Sequence, residues 1–284
     1  MCIRDSYTTN NPCDRRFGTI FFNSIDYWHY MCNISNRGQP KNTDGFKGFH
    51  IMKYSSQIVI KKLDNKFIFN NKDDGKNLPQ LMIEGKLDTR VKVNVEWIND
   101  NKWVKKHYQR KGMMQIFNDL YLYTSIKRTR SFREFEILNY LVISDFSTCK
   151  PLVGWVEYIG GILYRANLIT ENIPGMNFND FLTSKDPIES ILVRIYENIG
   201  STIAKMHKLS IFHGDLNISN IIVNTENYSA SIIDFDKSYY KKLSDNDKAK
   251  NIQRFKRSLI KNKLYNKNYF DLFLNSYNST INSF

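Results

Sequence analysis

The stretch HGDLNISN, residues 213–220, stands between two apolar pairs, Ile211-Phe212 and Ile221-Ile222. Fourteen residues past Asn220 comes Asp234, inside a second string, IIDFD (232–236), that closes another apolar run. A histidine, two acids and an asparagine thus fall in two polar turns, each following a β-like strand. An ordinary polar turn would use Asp215 and Asn220 for Asx-type hydrogen bonds and would leave Asp234 as a strand end. The spacing of the two turns allows a second use.

Phosphoryl transfer needs positioning and charge neutralisation more than covalent chemistry. It asks for a carboxylate beside the acceptor hydroxyl, and for an amide oxygen and a second carboxylate as hard ligands to Mg²⁺. H-x-D-x-x-x-x-N followed by D-F-x has the spacing of the kinase catalytic loop and its metal-binding turn. Asp215 and His213 are therefore the candidate catalytic residues, with Asn220 and Asp234 as candidate metal ligands. Upstream, Ile188, Ile191, Leu192, Ile195, Ile199, Ile203 and Met206 recur at helical spacing, the stripe of a largely buried helix. Asp186-Pro187 is expected to open it, with Asp as N-cap and Pro in the first position.

The first half of the chain must then supply a lysine for the nucleotide phosphates and a helical acid to hold it. QIVIKKLDNKFIF (57–69) reads as two strands around Asp64-Asn65. Val91, Val93, Val95 and Trp97 alternate with polar residues, Asn99-Asp100-Asn101 supplies a turn, and a partner strand runs from Trp103 to Tyr108. Lys106 near the end of that strand is the candidate phosphate ligand, and Lys105, on the opposite face, the weaker one. Met113–Leu120 reads as a short amphipathic helix. Ser131-Phe-Arg-Glu134 has the pattern of a capping box opening the next helix. Glu134 is the expected partner of Lys106, with a competing task in that cap, and Glu136 is the fallback. Leu163–Glu171 reads as a strand ended by Pro174-Gly175. No glycine-rich loop is evident; the phosphate-covering loop is placed only roughly, around residues 84–91.

The chain has 284 residues, enough for one large domain or two lobes sharing a cleft, and 42% apolar residues, enough for a core. No apolar run reaches the ~18 residues of a membrane span. The N-terminus shows no apolar signal-peptide core, and four cysteines without C-x-x-C spacing give no disulfide or zinc framework, so a reducing cytoplasm is expected. Residues 1–45 show little periodicity and are read as an unassigned leader, poorly ordered or a spurious extension. The expected organisation is an N-lobe over 46–171 and a C-lobe over 172–284. The net charge of +13 points to an anionic partner. Residues 237–267 hold eleven Lys or Arg against Asp245 and Asp247. That stretch is either a solvated helix or a contact face for anionic lipid. Nucleic acid is not expected, because no stacking platform or nucleic-acid motif accompanies the charge.

Taken in order, KHYQRKG (106–112), TRSFREFEIL (129–138), YRANLITENIPG (164–175), HGDLNISNII (213–222), IIDFDKS (232–238) and NIQRFKRSLIK (251–261) resemble the 3-deoxy-D-manno-octulosonic acid (Kdo) kinases of lipopolysaccharide synthesis. The resemblance spans roughly residues 85–264. It implies a protein-kinase-like two-lobed α+β fold, with an antiparallel-sheet N-lobe and a mainly helical C-lobe. The implied reaction is ATP- and Mg²⁺-dependent phosphorylation of the 4-hydroxyl of Kdo on a lipid A precursor. The protein would work from the cytoplasm, peripherally at the inner face of the inner membrane. The resemblance makes Asp215 the catalytic base, Asn220 and Asp234 the Mg²⁺ ligands, and Lys106 with Glu134 the ATP-phosphate pair. Glu171 to Ile173 would be the hinge that reads adenine through backbone groups. The chain departs from the family at Lys106, where the pattern has Arg, and at Gln109–Gly112, where it has R-R-G-G. Gly214 gives H-G-D, a form shared with small-molecule phosphotransferases. That keeps a heptose kinase or another small-molecule kinase as an alternative acceptor class. A pseudokinase binding module is the non-enzymatic alternative.

Overall fold

The computed structural model describes residues 57–72, 77–87, 93–109, 119–184 and 187–283, all within the compact unit Gly45–Phe284. The 1–45 leader, Val91, Asp186 and residues 113–118 of the helix expected at Met113–Leu120 lie outside the described residues, as does half of the 84–91 loop; Asp119 and Leu120 are described and are not helical.

The first part of the chain builds an antiparallel sheet in the order β1-β2-β6-β7-β4-β3. Its strands are β1 (Ile58–Leu63), β2 (Lys66–Asn71), β3 (Val95–Ile98), β4 (Trp103–His107), β6 (Pro151–Ile159) and β7 (Leu163–Glu171). The two-residue β5 (Tyr121–Leu122) pairs with β7 off that path. Both hairpins expected from alternation are present. Asp64 turns the first with φ 48°; Asn99, Asp100 and Asn101 turn the second with φ 53°, 52° and 61°. Short polar side chains tolerate that left-handed region, which is why these residues make the turns. Gly160 and Gly161, both at positive φ, turn β6 into β7.

The central strands of the sheet are covered on both faces, while the edge strands β1 and β3 stay largely exposed. A short helix α1 (Leu78–Ile83) brings Leu78 and Met82 onto Ile68, Leu152, Val153, Trp155 and Ile169. The other face receives α2 (Arg130–Ile143), whose Phe132, Phe135, Leu138 and Leu141 enter the main core. Phe69 meets Phe132 and Phe135 edge-on, at 5.0 and 5.4 Å between ring centroids.

The helix α2 starts two residues earlier than the capping-box pattern requires. Thr129 is its N-cap and makes no side-chain cap bond, while Ser131 lies inside the helix and is buried. The expected capping box is therefore not formed. Glu134 sits in the second turn, too far along to reach back to the cap, and the half-buried Lys106 takes its carboxylate instead.

Beyond β7 the chain is mainly helical. After β8 (Met176–Asn177) and the short α3 (Phe178–Thr183) comes α4 (Glu189–Lys208), which buries Leu192, Ile195, Ile199, Ile203 and Met206 as its stripe predicts. Its start is two residues later than expected: Ile188 is the N-cap, Pro187 precedes the helix, and Ile188 stays 64% exposed. Then follow β9 (Ile211–Phe212), β10 (Ile221–Val223), β11 (Ala230–Ile232), β12 (Tyr239–Tyr240), α5 (Asp245–Lys261) and α6 (Lys267–Asn282). The strand pairs β9–β12 and β10–β11 hold the two polar turns side by side. A capping box the sequence pattern missed opens α5. Ser244 Oγ accepts from the Asp247 amide, and the Asp247 carboxylate accepts from the Ser244 amide. The third helical position holds Asp rather than the Glu or Gln of the usual signature.

Candidate active site

Period-two alternation on β4 sends Lys105 and Lys106 to opposite faces of the sheet. Lys105 Nζ pairs with Glu96 at 2.6 Å. Lys106 Nζ donates to both carboxylate oxygens of Glu134, at 3.0 and 2.8 Å, and to Asp234 Oδ1 at 2.6 Å. Glu134 is thus the helical partner, and Glu136 is not. The Tyr108 hydroxyl, two residues along the same strand face, donates to Glu134 as well.

Burial drives the Glu134 carboxyl above its ordinary range, against the pull of Lys106. Burial opposes the charged Lys106, but Glu134, Asp234 and Asp236 outweigh it and hold the ammonium above its usual value. Burial would also raise Asp234, yet Lys106 reverses the sign and its carboxyl lies below the usual range. Lys106 and Asp234 are therefore a charged pair at neutral pH. Asp234 carries φ 64°, an uncommon backbone for a non-glycine residue.

The turn after β9 is fixed by its own polar groups. His213 Nδ1 accepts from the Asp215 amide at 3.1 Å, and Nε2 donates to the Ile233 carbonyl at 3.1 Å. The imidazole therefore ties one turn to the other in its neutral form, and burial depresses its pKa to about 4. The side-chain amides of Asn217 and Asn220 both donate to the Asp215 carbonyl, at 2.9 Å each. Asn217 Oδ1 also accepts from the Ser219 amide and caps the short 3₁₀ turn Ile218–Asn220. With its NH₂ committed, Asn220 presents Oδ1 as an acceptor. That amide oxygen and the Asp234 carboxylate form a donor set of the hard-oxygen kind that Mg²⁺ takes, so the residues present fit the ion.

A cleft of about 530 Å³ is lined by Lys106, Tyr108, Tyr121, Arg130, Asp215, Asp234, Asp236 and Lys237, among others. It joins residues that lie more than a hundred positions apart in sequence. Asp215 Oδ2 is 3.0 Å from Lys237 Nζ. Gly214 is required by packing: a Cβ there would lie 2.2 Å from the Lys237 carbonyl oxygen. His213 and Asn220 are not among the cleft's lining residues. Glu171 ends β7, its amide bonded to the Lys150 carbonyl, and Ile173 packs on the main core; neither is among the cleft's lining residues.

Three features escaped the sequence reading. Arg130, at the start of α2, grips Asp236 with two guanidinium nitrogens and lies over the rings of Tyr108 and Tyr121. Asn251 of α5 accepts from the His213 amide at 3.2 Å and donates to its carbonyl at 2.6 Å. Its Oδ1 is in turn held by His207 Nε2 at 3.0 Å, whose other ring nitrogen meets the Tyr277 hydroxyl at 2.8 Å. Ser258, two turns further along α5, takes the Ile218 amide at 3.2 Å. The inner face of α5 thus braces the turn that carries Asp215. Only the long-range fold brings Arg130 to Asp236 or Asn251 to His213, and nothing local marks either pair.

Residues 79–277 match the model of the "Lipopolysaccharide kinase (Kdo/WaaP) family". A 3-deoxy-D-manno-octulosonic acid kinase of Vibrio cholerae serotype O1 is 35% identical over 55% of this chain and 64% of its own length. The protein of the same name from Mannheimia succiniciproducens is 36% identical over 61% of this chain and 73% of its own. That from Actinobacillus succinogenes is 38% identical over 55% and 65%. The chain spans a little under two thirds of the length of the first of these relatives. A solved WaaP chain, in complex with acyl carrier protein, aligns over 84% of each chain with a TM-score of 0.46 and 13% identity, too distant to carry residue roles. With its antiparallel sheet, its mainly helical second part and the family model matched across both, this chain belongs to the lipopolysaccharide kinase (Kdo/WaaP) family and has a kinase-like α+β fold.

Proposed function

We propose that the protein is an ATP-dependent kinase that phosphorylates the 4-hydroxyl of Kdo on a Kdo-lipid A precursor. One observation carries the reading: Asp215, Asp234 and Lys106 line a single cleft in a chain of this family. The sheet-rich part, 46–171, acts as the N-lobe, and 172–284 as the C-lobe. Asp215 takes the proton of the acceptor hydroxyl as it attacks, in the manner of a positioned general base. His213 acts through the turn, fixing the Asp215 amide while staying neutral. Lys106 meets the nucleotide phosphates as a point charge, held in place by Glu134 and Tyr108. Asn220 and Asp234 would hold Mg²⁺, which when bound neutralises phosphate charge. The backbone from Glu171 to Ile173 would read the adenine.

Gly214 does not single out another acceptor class, because the close approach of Lys237 already accounts for it. A pseudokinase would have no use for Asp215, Asn220 and Asp234 together. The test is an acceptor panel with γ-labelled ATP and Mg²⁺: Kdo-lipid A precursor, a heptose-bearing acceptor, and small alcohols. Label is expected in the Kdo acceptor; label in another member alone would overturn the reading.

We further propose that the protein works peripherally at the cytoplasmic face of the inner membrane, where its anionic glycolipid acceptor lies. No described helix is long and apolar enough to cross a membrane. Lys250, Arg254, Arg257 and Lys261 are exposed at four-, three- and four-residue spacing, one outer stripe of α5. Each basic residue near an anionic surface is worth about 1 kcal/mol. Reversing Arg254 and Arg257 to Glu should weaken binding to anionic vesicles in a salt-sensitive way. Unchanged binding would leave the stripe a solvated face.

A further inference from the structure

The kinase reading assigns no task to Lys237, although among the described residues it is the cation paired with the carboxylate proposed as the base. Its Nζ is 3.0 Å from Asp215 Oδ2, and the two side chains are 63% and 43% exposed. Such a half-exposed pair adds little to stability. Its backbone is nonetheless tightly placed: a Cβ at Gly214 would lie 2.2 Å from the Lys237 carbonyl oxygen and 2.6 Å from the Lys237 Cβ. The residue before Asp215 is thus a glycine where Lys237 presses against it. The fold fixes the base of this side chain and leaves its tip in the cleft.

Among the described residues, the other strong cations of the cleft are each held by several oxygens. Lys106 is bound by both Glu134 oxygens and by Asp234. Arg130 is bound by both Asp236 oxygens and by the Tyr121 hydroxyl. Lys237 has one described partner and three N–H donors. Within the turn itself, Asn217 offers nothing to a ligand, since its amide nitrogen and oxygen are spent on Asp215 and Ser219.

We propose that Lys237 is a catalytic residue that contacts the phosphoryl group in transfer; this rests on the kinase reading above. In the step, the acceptor hydroxyl oxygen forms a bond to the γ-phosphorus. The bond from that phosphorus to the β–γ bridging oxygen breaks, its electron pair leaves with ADP, and the hydroxyl proton passes to Asp215. Lys237 keeps all its protons. Negative charge in such a transition state spreads over the three equatorial phosphoryl oxygens. As Asp215 takes the proton it loses the charge that held Lys237, and the ammonium is released toward those oxygens. A preplaced charge that strengthens its contact only as the reaction proceeds lowers the barrier without tightening ground-state binding.

The test compares wild type, Lys237→Ala and Lys237→Arg with Mg-ATP and Kdo-lipid A precursor, measuring kcat and both KM values. Lys237→Ala should lose about 10²–10³-fold in kcat, the usual effect of removing one transition-state donor. Both KM values should move by less than about threefold, the signature of an interaction made only in the transition state. Lys237→Arg should recover part of the loss, which a merely structural role would not require. Unchanged kcat in Lys237→Ala overturns the proposal. So does a rise in acceptor KM at constant kcat, which would put Lys237 on the carboxylate of the acceptor sugar. A wild-type protein that labels no acceptor overturns the kinase reading itself, an outcome separate from either.

Discussion

Among the described residues two lysines line the cleft, each against carboxylates, and they differ in almost every physical respect. Lys106 is 24% exposed and its partner Glu134 only 3%; Lys237 and Asp215 are 63% and 43% exposed. The first pair joins a strand to a helix across the sheet's inner face and is completed by Tyr108 and Asp234. The second joins two neighbouring turns through one contact. Removing a partner from a buried pair strands a charge, whereas removing one from an exposed pair hands it to water. The Lys106 cluster therefore holds the cleft together, and the Lys237 pair is free to change during a reaction.

Breaking the two pairs should give opposite patterns. Asp215→Asn is expected to lower kcat by about 10²–10⁴-fold, the range of a lost general base. Thermal stability and nucleotide binding should stay near wild type. Wild-type turnover in this variant would mean that the base is another group. Lys106→Met should cost about 3–5 kcal/mol in denaturant unfolding, as an unpaired buried carboxylate remains, and should weaken ATP binding. If its unfolding midpoint matched wild type, the buried pair would not hold the cleft together.

Asn251→Ala sharpens the contrast from the side of the turn. It removes both hydrogen bonds to the His213 backbone while leaving every cleft-lining side chain in place. Misplacement of the turn should reduce kcat by about 10- to 100-fold, and the unmet buried groups should cost about 1–3 kcal/mol. A stability loss with full kcat would make Asn251 a packing residue only.

Acid should act in the same place. Burial lowers His213 and His207 to about 4 from an ordinary 6.5. The folded state thus binds fewer protons than the unfolded chain between those values. Their contribution is fully present above pH 6.5 and is lost progressively as pH falls toward 4. Protonated His213 would also set an N–H against the Asp215 amide. The melting temperature should fall from pH 7 to pH 5, and His207→Gln should make that fall shallower. A flat profile over this window would contradict the neutral assignment.

How much of this was legible in the sequence follows from the range of each interaction. Asp215, Asn220 and Asp234 stand out because the turn needs them at fixed short spacing. Lys106 stands out because a strand's period of two is simple to read. Glu134 was reachable as a partner, although the cap expected at Ser131 does not form: burial of α2 against the sheet sets where the helix begins. Arg130–Asp236 and Asn251–His213 are different in kind, joining residues 106 and 38 positions apart. Their spacing carries no periodic signal, and only the packed core brings them together. Gly214 taught the converse lesson. As sequence it suggested an acceptor class, whereas in the fold it marks where the Lys237 backbone passes.

The most direct test of the account is the product itself. Kdo-lipid A precursor is incubated with Mg-ATP and the protein, then analysed by mass spectrometry and phosphorus NMR. The account predicts a gain of one phosphate, bonded to the 4-hydroxyl of Kdo, and no such product with Asp215→Asn. An unmodified Kdo acceptor beside a phosphorylated heptose or small alcohol would contradict it, as would equal product from Asp215→Asn.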